Sequence, residues 1–417
     1  MQAIENIPLD FLHERGINRE HPLTAHEMAS LARAGTALQQ ADRIVVLLGG
    51  KAGRLGECVV GSALLEGTLQ ALHSLERAGV PVLIYVDAGV TDLFVEQVYQ
   101  EQYWPAITIV PTAKNLAIQE ISAVQPVAAH TLILDFHGGH DGMPSLQIEQ
   151  NPTDARHVTA LAQLFRVGVR SYAHRGPERR YADFIEDIFA LRAGSLDGLQ
   201  AQPRIRLSEK ERSRYPDLAQ AYDLAPGALH IQCFFQSVVV AKCYERWDEV
   251  MQLLCDHLAL HFPQQKIDFL LACGPDEELP IGIRKTDLEE WLQDFTGVQN
   301  NARALVRSTP NLRDLAILTS QATMALTNDT GPGHIAGALG IPTITVFLPG
   351  NIYSKQTWSS TPWHHGITLE PNPYSYQQLE AAILWRHTDI INSVPPAAIA
   401  KEIISDLIPR IQAGRLE

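Results

Sequence analysis

Apolar residues in this chain gather into short continuous runs separated by stretches of helical spacing, the pattern of strands buried on both faces of a parallel sheet. The first run, Ile44–Leu48, ends in Gly49-Gly50 and is followed by a predicted helix over Gly61–Leu75. Strands are predicted over Val82–Val86, Ile107–Val110 and Thr131–Asp135. Such βαβ alternation with short crossovers predicts a doubly wound, Rossmann-like domain. Residues Ser171–Tyr222 are rich in Arg, Glu and Pro and hold a helical pattern at Tyr181–Leu191, but no strand core. The rhythm then restarts with strand Leu229–Phe235, helix Glu245–Leu258, strand Asp268–Ala272, helix Leu312–Ser320 and strand Met324–Thr327. A helix after Gly333 and strand Thr343–Phe347 complete it.

The expected organisation is a helical N-terminal extension over 1–42, a Rossmann-like domain over 43–222, a second over 223–395 and a C-terminal helix over 396–417. The extension has apolar spacing over Leu23–Gly35, with Thr24 and Glu27 placed as a capping box, and Ala397–Ile411 is amphipathic. A length of 417 residues suits two domains. At 46% hydrophobic and 19% charged residues the composition is globular.

A formal net charge of −14 excludes nucleic acid as the main partner, since a phosphate backbone demands a broad cationic surface. It leaves room for a small anion, which needs only a few local donors. The five cysteines form no CxxC pair and are expected to be reduced. The start Met1–Pro8 has no basic, apolar leader pattern and no stretch reaches ~18 apolar residues, so a cytoplasmic chain without a transmembrane segment is expected.

The most informative local feature is the strand followed by Asn328-Asp329-Thr330-Gly331-Pro332-Gly333-His334 and the small-residue segment Ile335–Gly340. A helix start offers unpaired N–H groups and the positive end of its dipole, and Thr330 and His334 add side-chain donors, which suits a diphosphate. The same residues would also make a plain turn with Asp329 capping the helix, and spacing alone leaves both readings open. His137 follows Asp135 at a strand's C-terminal edge, where open sheets bind ligands, and is a candidate for contact with an acceptor or a structural histidine. Arg170, Arg175, Arg179 and Arg180 offer either an anion-holding cluster or a solvated face. His364-His365 lacks the spacing and nearby carboxylates of a metal site, and none is predicted.

Leu326–Gly350 resembles the donor-phosphate segment of glycosyltransferase family 9, the ADP-heptose:lipopolysaccharide heptosyltransferases. Ile44–Leu75 is similar to the family's first strand and helix, Leu132–Gly139 to its strand ending in an Asp-x-x-Gly turn, Pro203–Glu211 to the entry into its second domain, and Leu271–Glu278 to a glycine turn in the donor half. The resemblance spans Arg43 to Pro349. It implies an α/β fold of the GT-B type, two Rossmann-like doubly wound domains facing each other across a cleft, and an inverting reaction without a metal or other cofactor.

Residue by residue, the resemblance implies Glu57 as the base, where the family's Gly-Asp pair reads Gly56-Glu57. It implies Lys242 beside the departing diphosphate, with Ser237 as the preceding hydroxyl residue; Val238, Val239 and Val240 stand where the family loop is polar. Gly274, Asp329, Thr330, Gly331, Pro332, Gly333 and His334 are the expected donor contacts, and His137 and Arg54 the acceptor-side candidates. Taken without the resemblance, Glu57 also reads as an acidic residue at a helix N-terminus and Lys242 as a solvated helix-start lysine.

The expected activity is therefore transfer of a sugar, a heptose by resemblance, from an ADP-linked donor to a hydroxyl of a saccharide, lipopolysaccharide core, protein or natural product. Another nucleotide-sugar enzyme of this architecture and a non-catalytic nucleotide-sugar-binding protein are the alternatives. Peripheral contact at the inner face of a membrane and homo-oligomerisation are compatible with this reading.

Overall fold

A computed structural model describes residues 41–48, 55–112 without 103 and 105, 131–135, 202–274, 286–290 without 287, 301–348 without 310, 364–369 and 372–412. The predicted helices at Leu23–Gly35 and Tyr181–Leu191 lie outside the described residues. The chain divides into two compact units between Arg206 and Leu207.

In the first unit, β1 (Arg43–Leu47) is flanked by β2 (Val82–Asp87) and β4 (Thr131–Asp135), with β3 (Ile107–Thr112) outside β2. All pairings are parallel, in the order β3-β2-β1-β4. Apolar runs put β1 and β2 in the core, while the edge strand β3 is buried only at its two ends, Ile107 and Thr112. The helix α1 (Leu55–Ser74) begins six residues before the predicted Gly61. Cys58, Val59, Val60, Ala63, Leu65, Leu69 and Leu72 are all buried, and a helix covered on most sides has no polar stripe to mark its start. A charge pair is buried in this core: Glu66, fully buried, pairs with Arg206 at 2.5 Å. The Arg206 guanidinium also lies 5.9 Å from the ring centre of Tyr99 in α2 (Glu96–Gln102).

The second unit holds six parallel strands in the order β10-β9-β8-β5-β6-β7. They are β5 (Leu229–Phe234), β6 (Ile267–Cys273), β7 (Ala302–Ser308), β8 (Met324–Asn328), β9 (Thr343–Val346) and β10 (His364–Ile367). The chain runs outward from β5 through β6 to β7, then crosses to the other side of β5 and runs outward again through β8 and β9 to β10. That is the Rossmann order, with its switch point between β5 and β8. β7 and β10, which apolar patterning does not reveal, are the two edges: β7 carries Arg303 and Arg307, and β10 reads His-His-Gly-Ile.

The unit boundary falls earlier than the expected residue 222. The short helices α3 (Glu209–Arg212) and α4 (Tyr215–Ala221) belong to the second unit. Ser208 and Glu211 form the capping box of α3, and Glu211 then reaches Arg313 at 2.6 Å on α6 (Leu312–Thr319). Arg214 pairs with Asp314 at 2.6 Å, and Tyr222 and Leu224 pack with Leu270 and Leu318. The C-terminal helix is likewise not a separate piece. In α9 (Pro396–Gln412), Ile399, Ile403 and Leu407 are buried at i, i+4 and i+8, and the helix packs on α5 (Trp247–His261). A further helix, α8 (Tyr376–Trp385), starts from a Ser375/Gln378 capping box and ends at Arg386 in the left-handed region.

The buried Glu66–Arg206 pair yields a stability prediction, because removing one partner strands a charge in the core. Glu66→Ala should destabilise the first unit by about 3–5 kcal/mol, measured by urea unfolding. A loss under about 1 kcal/mol would show that the pair is not desolvated in solution.

Candidate functional site

Ligands of doubly wound sheets bind beyond the carboxyl ends of the strands at the switch point, where the two adjacent connections diverge. In the second unit those connections are Phe235–Arg246 after β5 and Asp329–Thr330 after β8. Asn328, the last residue of β8 and fully buried, ties them together. Its Oδ1 accepts from Trp247 Nε1 at 2.9 Å and from the Tyr244 amide at 3.2 Å, and its Nδ2 donates to the Phe235 carbonyl at 2.7 Å. Phe235 and Trp247 stack beneath at 4.7 Å between ring centres.

On this frame a single 3-10 turn, Val240–Lys242, presents Lys242. Its Nζ lies 2.6 Å from Asp329 Oδ2, with the carboxylate 8% exposed and the lysine 27%. Asp329 therefore does not cap the following helix. The N-cap of α7 (Gly331–Ala338) is Thr330, whose side chain makes no capping bond and whose Oγ1 is buried without a hydrogen-bond partner among the described residues.

Gly331, Pro332 and Gly333 form the first turn of α7 rather than a loop ahead of it. Pro332 has no N–H, so the amides of Thr330, Gly331 and Gly333 are the donors this helix end leaves without intrahelical partners. Gly333 faces the strand: a Cβ there would meet Thr327 Oγ1 at 2.7 Å and Cγ2 at 2.8 Å. The absence of a side chain lets α7 sit against β8.

His334, the fourth residue of α7, is 4% exposed. Burial, followed by the charge of Lys242, lowers its pKa to about 3, so it is neutral at physiological pH. Its ring stands edge-on to His364 of β10 at 5.4 Å, and His364 Nε2 shares a 2.6 Å hydrogen bond with Thr345 Oγ1 of β9. Burial also holds His364 well below the usual histidine range. His364 escaped the sequence reading except as a rejected metal ligand; its signal is two adjacent histidines opening a strand.

Ser237 Oγ accepts from the Val239 amide at 3.2 Å, which shapes the turn leading to Lys242. Val238 is 64% exposed. The Gly274 amide, just past β6, donates to Gln236 Oε1 at 3.0 Å. Ser237, Lys242, Gly274 and Asp329–His334 thus lie at the carboxyl ends of β5, β6 and β8. In the first unit, Glu57 falls in the first turn of α1 after β1, at the switch between β1 and β4. Arg54, His137 and the arginines at 170, 175, 179 and 180 lie outside the described residues.

All five cysteines are buried and none forms a disulfide. No group of three His, Cys, Asp or Glu residues that could hold a metal occurs among the described residues, and no described helix is long and apolar enough to cross a membrane.

Two Rossmann-like units, each a parallel sheet, are the architecture of the GT-B class of glycosyltransferases. Solved structures share this fold. A family 9 glycosyl transferase from Veillonella parvula matches at 16% identity over 88% of this chain and 97% of its own, with a TM-score of 0.53. The E. coli ADP-heptose lipopolysaccharide heptosyltransferase II matches at 16% identity over 88% and 99%, with a TM-score of 0.52. The family model for glycosyltransferase family 9 (heptosyltransferase) matches residues 152–374, more than half of the chain, and the chain belongs to that family. No curated protein matches it.

The buried histidines set a pH dependence. His230 of β5 is held down to about 4, chiefly by burial and against the opposing effects of Gln232 and Asp268. His230 and His334 bind fewer protons folded than unfolded below pH 6.5, so their stabilising contribution is complete above 6.5 and is lost as pH falls. Burial alone would raise the Glu211 carboxyl, but its hydrogen bonds from Arg313 and Ser208 outweigh that and lower it to about 2; its contribution therefore falls away below pH 4.5. Unfolding free energy should drop between pH 6.5 and 4 with a slope of up to ~1.4 kcal/mol per pH unit per histidine. His230→Gln should flatten part of that slope, and an unchanged slope would remove His230 from the account.

Proposed function

We propose that this glycosyltransferase transfers a heptose from an ADP-linked donor to an acceptor hydroxyl, with inversion and without a metal. The observation that carries the reading is the switch-point constellation of the second unit: Lys242 held 2.6 Å from Asp329 beside the start of α7, where the Thr330 hydroxyl lacks a partner among the described residues. The diphosphate oxygens accept from the amides of Thr330, Gly331 and Gly333 and from the Thr330 hydroxyl, at the positive end of the helix dipole. Pro332 fixes the turn, while Ser237 and Gly274 shape the loops on either side of the phosphate end.

In the transfer step the acceptor oxygen bonds to the anomeric carbon as the bond from that carbon to the diphosphate oxygen breaks. The bonding pair leaves on ADP, and the acceptor's proton passes to Glu57. Negative charge grows on the leaving oxygens, and the Lys242 ammonium opposes it; this is the role a divalent cation would otherwise fill. Glutamate carries the same carboxylate as aspartate on one more methylene, and Glu57 lies in the first turn of α1. Attack on the face opposite the leaving group inverts the anomeric centre. His137 and Arg54 are the proposed acceptor-side residues.

Donor profiling in chelator with ADP-heptose, other ADP-sugars and UDP- and GDP-sugars tests the reading, with product stereochemistry determined by NMR. Turnover with ADP-heptose, inverted product and no loss with chelator are expected. Turnover confined to another nucleotide sugar sinks the donor assignment, and retention sinks the mechanism. Glu57→Gln should lower kcat by about 10²–10⁴-fold while ADP affinity stays within about threefold. Lys242→Gln should lower kcat by about 10²–10³-fold. Wild-type protein that binds ADP-heptose yet neither transfers nor hydrolyses it would show this member to be a binding protein.

A further inference from the structure

His364 lies outside every segment that suggested the donor site, yet its ring stands 5.4 Å from that of His334. Three side chains from three adjacent elements form a row: Thr345 on β9, His364 on β10 and His334 in the first turns of α7. Each is 4% exposed or less, so bulk water does not set their orientation. A neutral imidazole has one N–H and one bare nitrogen, and the partner of one nitrogen decides which proton the other carries. The Thr345 hydroxyl, 2.6 Å from Nε2, anchors the His364 ring, and the edge-on contact at 5.4 Å and 66° packs that ring against His334.

We propose that His364 is a positioning residue for the donor: held by Thr345, it sets by packing the plane of the His334 ring, and so the direction of the N–H that His334 presents to the diphosphate. The proposal rests on the reading of the α7 start as the diphosphate site. The charged and titratable groups around the row are Lys242 from the turn after β5, Asp329 at the end of β8 and His365 beside His364 on β10. Burial keeps both rings neutral, so His334 meets the donor as a neutral group and His364 acts on it by orientation rather than as an added cation. A row fixed by packing pays little ordering cost when the donor arrives.

Calorimetric titration with ADP in chelator tests the proposal on wild type, His364→Ala, His334→Ala, the double variant, Thr345→Val and His364→Gln. His364→Ala should weaken ADP binding about tenfold, and in the His334→Ala background it should cost nothing further, because its effect passes through that ring. Thr345→Val should weaken binding in the same direction by severalfold, and His364→Gln, which can still hydrogen-bond Thr345, should recover most of the affinity. Penalties of His364→Ala and His334→Ala that simply add would mean that His364 only supports the fold, and this overturns the proposal. So would wild-type affinity in His364→Ala or, should that variant not fold, in Thr345→Val. Failure of the wild-type protein to bind ADP would instead overturn the underlying donor-site reading, and this inference with it.

Discussion

Lys242 and Asp329 approach to 2.6 Å at the point where the connections after β5 and β8 diverge, and the surroundings of the second unit's site are organised around that contact. A carboxylate only 8% exposed must be paired, because its desolvation would otherwise cost several kcal/mol. The pairing anchors a surface turn, Val240–Lys242, to the end of a central strand and keeps a long, flexible ammonium beside a helix start. An anion arriving there shares the ammonium with Asp329, so the pair holds Lys242 in place before binding and competes for it afterwards. Asn328 makes the same connection without charge, satisfying Tyr244, Trp247 and Phe235 with one amide.

The rest of the site is arranged so that this charge pair stands among neutral groups. Burial keeps His334 and His364 unprotonated beside the ammonium, which avoids a cluster of like charges in a dry environment. Gly333 lets the helix approach β8 until a Cβ would collide with Thr327, so the start of α7 is placed by contact with the sheet itself. Pro332 gives up one of the free amides and in return restricts the backbone of the first turn. The donor groups that remain are few, and they are fixed by the sheet order.

Continuous apolar runs made β1, β2, β5, β6, β8 and β9 legible from the amino-acid sequence, because strands buried on both faces need no polar alternation. The edges of the second sheet were not legible for the same reason: β7 places Arg303 and Arg307 among its buried residues, and β10 is four residues long with two histidines. Segment 207–222 was assigned to the wrong unit because its attachment depends on Glu211 meeting Arg313 and on Tyr222 joining Leu270, contacts between residues far apart in the chain. The turn Asn328–His334 was visible in its glycines and its position after a strand. That Asp329 partners Lys242, that Thr330 is the N-cap, and that His364 stands against His334 follow from strand order and close packing, which local spacing does not encode.

The central claim is that the start of α7 and the turn carrying Lys242 hold the donor diphosphate. Hydrogen–deuterium exchange on the whole protein, with and without ADP in chelator, addresses it directly. Added ADP should slow exchange in peptides covering 329–338 and 237–243, where amides lie at the end of the helix and in the lysine turn, and leave β2 and β3 of the first unit unchanged. Protection confined to the first unit, with none at 329–338, would contradict the account.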